Sequence, residues 1–203
     1  MTLEEILNQW IPYRLQAIQT LQLAWKLANE CEQQRKVEVV VDGKVRLEGN
    51  VALIANPMIE IGLVHARALL EFLGLMTKEG KLTNVSPRKR RSDDIAIEHY
   101  KVDGTPLAIV TREAALRAYP GPQDEAEAAL VAIFEWTNKG IAHLTTEVLS
   151  GSYTDRHLDI ACRGIPVLLH NNLYAKLGRE IPPSSCNPAT IGSIGDERLV
   201  LMQ

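Results

Sequence analysis

The chain has 203 residues, 46% of them hydrophobic and 23% charged, with Lys+Arg 22 against Asp+Glu 25 for a net charge of −3. That apolar fraction, with only 13 glycines and 10 prolines, excludes a disordered or fibrous chain and suits one globular domain. The slight acidity excludes a globally basic nucleic-acid binder while leaving room for a local basic patch.

No run approaches the roughly 18 consecutive apolar residues of a membrane-spanning helix. The opening Met1-Thr2-Leu3-Glu4-Glu5 is acidic, whereas a secretion signal starts basic and then turns apolar. Cys31, Cys162 and Cys186 form no C-x-x-C pair and are too few for a disulfide framework. The expectation is a cytoplasmic protein with reduced thiols, no membrane association and no cofactor.

In chain order, Leu3, Leu7, Trp10, Arg14, Ala17, Ile18, Leu21, Trp25, Ala28 and Cys31 recur at helical spacing, which predicts a helix over 2–34. Thr2 suits its cap, and Pro12 predicts a break or kink near Trp10. The period then changes to two: Val37, Val39 and Val41, then Asp42-Gly43, then Val45 and Leu47. Asp-Gly between alternating β-branched runs predicts a hairpin over 37–48. A lone hairpin is marginal in water, so it should lie against helices or gain a third strand, from 105–110 or 198–202.

The most apolar segment, 57–76, predicts a central core helix on which Glu60, Arg67 and Glu71 share one narrow stripe while His65 points elsewhere. Residues 80–94 read as a loop carrying Arg88-Lys89-Arg90-Arg91, with Ser92-Asp93-Asp94 capping a short helix to Tyr100. Asp103-Gly104 marks a turn, and short helices come next over 112–119 and from Asp124 to Thr137. Gly140 permits a bend before a helix over 141–149. A last helix spans 153–177, kinked at Pro166 and stopped at Gly178, and the tail 179–203 reads as an extended cover packing on the domain. The architecture expected is a single mainly α helical bundle over 1–203 with a small β-hairpin.

The segment Asn138-Lys139-Gly140-Ile141-Ala142-His143-Leu144 carries the most chemistry. Histidine titrates near neutrality and can exchange a proton with a ribose hydroxyl. Lys139, four positions before His143, shares its face on a continuous helix and could stabilise phosphorane-like charge. The bland alternative is that Asn138, Lys139 and Gly140 cap a helix and His143 bonds a core polar group. Arg67, with His65 and Glu71 nearby, is a candidate anion clamp in a bundle cleft, or else part of a narrow solvated face or of a buried ion network that fixes helix register. Arg88, Lys89, Arg90 and Arg91 are candidate phosphate contacts, or a solvated loop balanced by Asp93 and Asp94. Glu60 and His65 are wrongly spaced for a di-metal carboxylate bundle, and no metal motif or phosphate-cradling loop occurs.

The helical bundle with a polar residue, four spacers and then His143 resembles the HEPN superfamily. That resemblance implies an all-helical, usually dimeric protein in which an Arg and a His bracket a cleft for metal-independent RNA cleavage. Here Asn138 stands where that family carries its Arg, Lys139 comes after it, and His143 is retained. With His65-Ala66-Arg67 and Asp93-Asp94, the segment 138–145 is also similar to bacterial helical proteins of unassigned activity. Two functions are expected from this: a non-catalytic interaction or nucleic-acid-associated module, with RNA as the partner, or a ribonuclease of toxin or defence type with His143 as acid/base. The apolar central helix adds an expectation of homodimerisation through the bundle.

Overall fold

Thr2 caps the first helix in the computed structural model, which describes residues 1–30, 35–86, 90, 91, 93–141 and 153–184. Its hydroxyl accepts from the Glu5 N–H at 3.1 Å, and the Glu5 carboxylate accepts from the Thr2 N–H at 2.7 Å. Two orphan donors of the helix start are thereby satisfied. Pro12 does not break the helical run. Helix α1 (Leu3–Glu5) passes through a π-helical turn at Ile6–Trp10 into α2 (Ile11–Glu30). In that register the Ile11 N–H reaches the Ile6 carbonyl, so residue 12 would serve Leu7. Proline has no N–H to give, and the buried Tyr174 hydroxyl donates to the Leu7 carbonyl instead.

Strands β1 (Lys36–Val41) and β2 (Lys44–Asn50) form the predicted hairpin, with Asp42 and Gly43 both at positive φ. Helix α3 (Val51–Leu73) starts directly after it, ahead of the expected position 57, because Asn50 is a true cap whose side-chain oxygen accepts from the Leu53 N–H at 3.1 Å. Pro57 therefore lies inside the helix, not at its start. Gly62 allows α3 to lie close on α2: a Cβ there would sit 2.5 Å from Leu21 Cβ. Gly74, at φ +95°, ends α3 before the expected position 76. By length and mean hydropathy α3 could cross a membrane, and here it packs along α2 with the core-facing Leu63, Leu69, Leu70 and Leu73 buried.

An unpredicted hairpin comes next, β3 (Leu75–Lys78) and β4 (Lys81–Asn84), turning at Glu79-Gly80, again with both φ positive. Asn84 fixes this hairpin to its surroundings. Its amide donates to the Gly74 carbonyl at 3.1 Å and the Val110 carbonyl at 2.7 Å, and its oxygen accepts from the Arg112 N–H at 3.1 Å. Instead of a helix running to Tyr100, a single 3-10 turn occupies Ile97–His99.

The expected third strand is not added to β1–β2, since each sheet among the described residues has two strands. Asp103-Gly104 makes a two-residue turn that folds β6 (Thr105–Pro106) back onto β5 (Lys101–Val102), which removes 105–110 as a candidate. The other candidate, 198–202, lies outside the described residues.

Helices α4 (Arg112–Arg117) and α5 (Gln123–Glu135) lie close to their expected positions, and a π-helical turn, Trp136–Ile141, extends α5. Helix α6 (Asp155–Leu169) runs through Pro166 into a π-helical turn, His170–Tyr174, and the helical run stops at Gly178, φ +67°. The predicted helix beyond Ile141 and the tail beyond Ser184 lie outside the described residues. One apolar core joins α2, α3, α5 and α6, including Leu21, Leu70, Ile133 and Ile165, while a small satellite of Ala24, Val51 and Ala55 supports the hairpin base. The protein is mainly α with small β-hairpins, as the sequence predicts.

Candidate functional site

Arg67 lies on α3 and Asn138 in the turn that prolongs α5, and packing brings them together. Arg67 Nη1 donates to Asn138 Oδ1, and its Nε donates to Glu71 Oε1 at 2.8 Å. The guanidinium carbon stands 5.9 Å from the centre of the Phe134 ring, over its face. The neighbouring Thr137 hydroxyl, in the same turn as Asn138, donates to the Ile133 carbonyl of α5 at 2.6 Å. The site is partly open: the Arg67 side chain is 31% exposed and that of Glu71 43%. Its charge is balanced locally, so an incoming anion would compete with Glu71 for the guanidinium.

The stripe read from the sequence is therefore real for Arg67 and Glu71, and Glu60 is exposed further along α3. His65 points elsewhere, as expected, into the seam between α3 and α2. There Arg14 Nη1 donates to His65 Nδ1 at 2.9 Å. An atom that accepts from guanidinium carries no proton, so the ring is neutral with its proton on Nε2. Burial first, and the Arg14 charge second, hold the His65 pKa below the ordinary histidine value. Tyr13 meets the ring edge-on at 5.4 Å and itself packs against Trp10 at 6.0 Å.

The basic run does not form one surface patch. Arg90 turns inward, 11% exposed, with Nε 3.0 Å from Glu98 Oε1 and Nη1 donating to the Glu71 carbonyl at 3.1 Å. It ties its loop to the end of α3 and is withdrawn from the role of a surface phosphate contact. A partly buried carboxylate and the second lone pair of a helix-end carbonyl that already accepts the Gly74 N–H give its charge better partners than a solvated loop would. Arg91 is exposed, its N–H donating to Asp94 at 3.1 Å, so Asp94 caps the loop itself and not a following helix. Arg88 and Lys89 lie outside the described residues, as does His143; Lys139 falls in the turn with Asn138.

Three features escaped sequence reasoning. Arg14 pairs with His65 across 51 positions, which no local spacing signals. A chain of aromatic contacts runs Trp25–Trp136–Tyr153–His157, each centroid step 5.9 Å, and Trp25 Nε1 donates to Asp155 at 3.1 Å. It braces the start of α6 against α2 and the end of α5. A pocket of about 410 Å³ opens between α4 and α6 over the Ala126 and Leu130 side of α5, with Tyr119 and Val167 in its wall. Its rim charges are already paired, Arg156 with Glu125 and Arg163 with Asp159.

Among the described residues no group of three or more His, Cys, Asp or Glu side chains is placed to hold a metal ion. Cys162 is buried, and burial pushes its thiol up to about 12, which leaves it protonated and unreactive at neutral pH. No family model, curated protein or solved structure matches this chain.

Proposed function

We propose that this protein is a HEPN-like, non-catalytic interaction module of the cytoplasm that engages RNA phosphate at the Arg67–Asn138 junction. The observation that carries the reading is the hydrogen bond between those two residues. Asn138 stands where the HEPN resemblance expects an Arg, and Arg67 brings a guanidinium to the same place from another helix. A guanidinium has five donors in a fixed fork, so one held by Glu71 and Asn138 keeps others for an anion. Held and partly neutralised in this way, it suits anchoring better than turnover.

The alternative is metal-independent RNA cleavage, with His143 as general acid/base and Lys139 and Arg67 stabilising the phosphate. What favours it is the same placement of Arg67 beside Asn138, five positions before His143. One experiment separates the two. Wild-type, Arg67→Gln and His143→Ala proteins are mixed with labelled single-stranded RNA without added metal, and both binding anisotropy and product ends are read. Binding weakened several-fold by Arg67→Gln, with RNA intact throughout, supports the module. Cleavage that His143→Ala abolishes establishes the nuclease. RNA neither bound nor cut by the wild type removes both.

A further inference from the structure

Among the described residues the β1–β2 hairpin is covered only at its base. Cross-strand partners share a face, so Val37, Gly49, Val39 and Leu47 line one side. Val37 packs on Ala24, Val51 and Ala55, and Gly49 stands over Leu53, to whose Cδ2 an added Cβ would come within 2.3 Å. Further out nothing described covers the ribbon: Val39 is 39% exposed, Leu47 39%, Val41 47%, Val45 50% and Val40 54%. An isolated two-stranded ribbon is marginal in water, and an open edge of β-branched residues invites another strand.

The two edges are not equivalent. Val39 pairs with Leu47 and Val40 with Val45, which leaves Arg46 as an extra residue on β2. A bulge of this kind blunts an edge. It also sets Val45 and Leu47 on opposite faces, against their simple alternation in sequence. The edge of β1, Lys36–Val41, is unbroken, and no described strand pairs with its outer side.

We infer that β1 is a self-complementary docking edge for a second copy of this chain, pairing antiparallel with its equivalent about a two-fold axis at Val39. In that register Val39 meets the partner's Val39, Val37 meets the partner's Val41, and Lys36 comes opposite the partner's Asp42. Opposite charges meet at both ends, and the apolar faces of the two ribbons become one four-stranded sheet. Other registers that preserve the faces are worse. Centring on Glu38 opposes two glutamates; centring on Val40 opposes Lys36 with the partner's Lys44 and Glu38 with the partner's Asp42. Centring on Val37 sets Val40 and Val41 beyond the partner's β1. A C2 interface uses one patch on both copies, which is the self-complementarity that β1 has. The dimer expected from the sequence is thus placed on the hairpin and not on the bundle, and it does not depend on the RNA reading.

A residue on the two-fold meets itself, so a charge placed there is repelled by its own copy. The full chain is measured by sedimentation over rising concentration as wild type, Val39→Lys, Val39→Glu and an equimolar mixture of the two variants. The expected result is a wild-type dimer, dimerisation weakened about tenfold or more in each variant alone, and recovery in the mixture as a heterodimer. Amide exchange in β1 of the wild type should slow as concentration rises, a readout that needs no variant to fold. A wild-type chain that stays monomeric overturns the inference. So does a dimer indifferent to both variants, or a mixture in which dimerisation is not recovered.

Discussion

Asn138 accepts a hydrogen bond from Arg67, a residue 71 positions earlier in the chain, and this bond couples the turn after α5 to the face of α3. The same guanidinium holds Glu71, whose carbonyl in turn receives Arg90. One arginine thereby connects the end of the central helix, the basic loop and the segment that leads to His143.

Removing the acceptor tests that coupling. Asn138→Ala leaves Arg67 with Glu71 alone, and hydrogen bonds to charged groups contribute about 1.5–3 kcal/mol when buried. With Arg67 partly exposed, a loss of about 1–2 kcal/mol is expected, while Asn138→Asp keeps an acceptor and costs less. Urea denaturation checks both variants, with the slope required to stay constant. Equal stability of Asn138→Ala and wild type would remove the bond from any account of the site.

How much of the fold and site is legible in the sequence depends on the range of each signal. The Asp42-Gly43 hairpin and the Arg67–Glu71 pair are local: the first is a turn chemistry, the second an i,i+4 spacing. The Glu79-Gly80 hairpin carries the same kind of turn. It is obscured because Leu75 and Met76 extend the apolar run of α3, so the helical pattern continues past Gly74. Arg14 with His65 and Asn138 with Arg67 depend on how helices pack, which no spacing within one helix encodes. Arg90 misleads for the opposite reason. Four adjacent cations read as solvated, yet Glu98 and a helix-end carbonyl draw one of them inward.

Arg14 and His65 make the stability depend on pH. The folded state holds the His65 pKa below its ordinary value of 6.5, so the unfolded chain binds the proton more readily. Stability is then complete above about pH 6.5 and falls as pH drops through that value toward the lower folded pKa, because protonation first puts a charge in a half-buried seam and second sets it against the Arg14 cation. Melting of the wild type is expected to drop between pH 7.5 and about 5.5 by more than that of His65→Gln, which cannot titrate. Parallel curves for the two proteins would show that His65 does not set the pH dependence of stability.

Asn84 should resist even its closest isostere. Its amide nitrogen serves two carbonyls, those of Gly74 and Val110, while its oxygen serves the Arg112 N–H. Asn84→Ala is expected to cost about 2–3 kcal/mol. Asn84→Asp keeps the oxygen but turns a carboxylate toward two carbonyls, and should be no better than alanine. Denaturant midpoints of the pair decide the point. A well-tolerated Asp would mean that the amide donors do not hold the β3–β4 hairpin.

Two helical glycines separate packing from propensity by responding in opposite directions to one substitution. At Gly62 a Cβ would stand 2.5 Å from Leu21 Cβ and 3.0 Å from the Ala17 carbonyl, so α2 and α3 would have to move apart. Overpacking of this kind costs about 1–3 kcal/mol. At Gly164, within α6, a Cβ meets nothing within 4 Å because the pocket beside α4 lies open there. Gly164→Ala then removes only backbone freedom from the unfolded chain and should stabilise by about 0.5–1 kcal/mol. Thermal midpoints should therefore fall for Gly62→Ala and rise for Gly164→Ala. A rise for both would mean that α2 and α3 have slack at their crossing. A fall for both would mean that the open side of α6 is already filled.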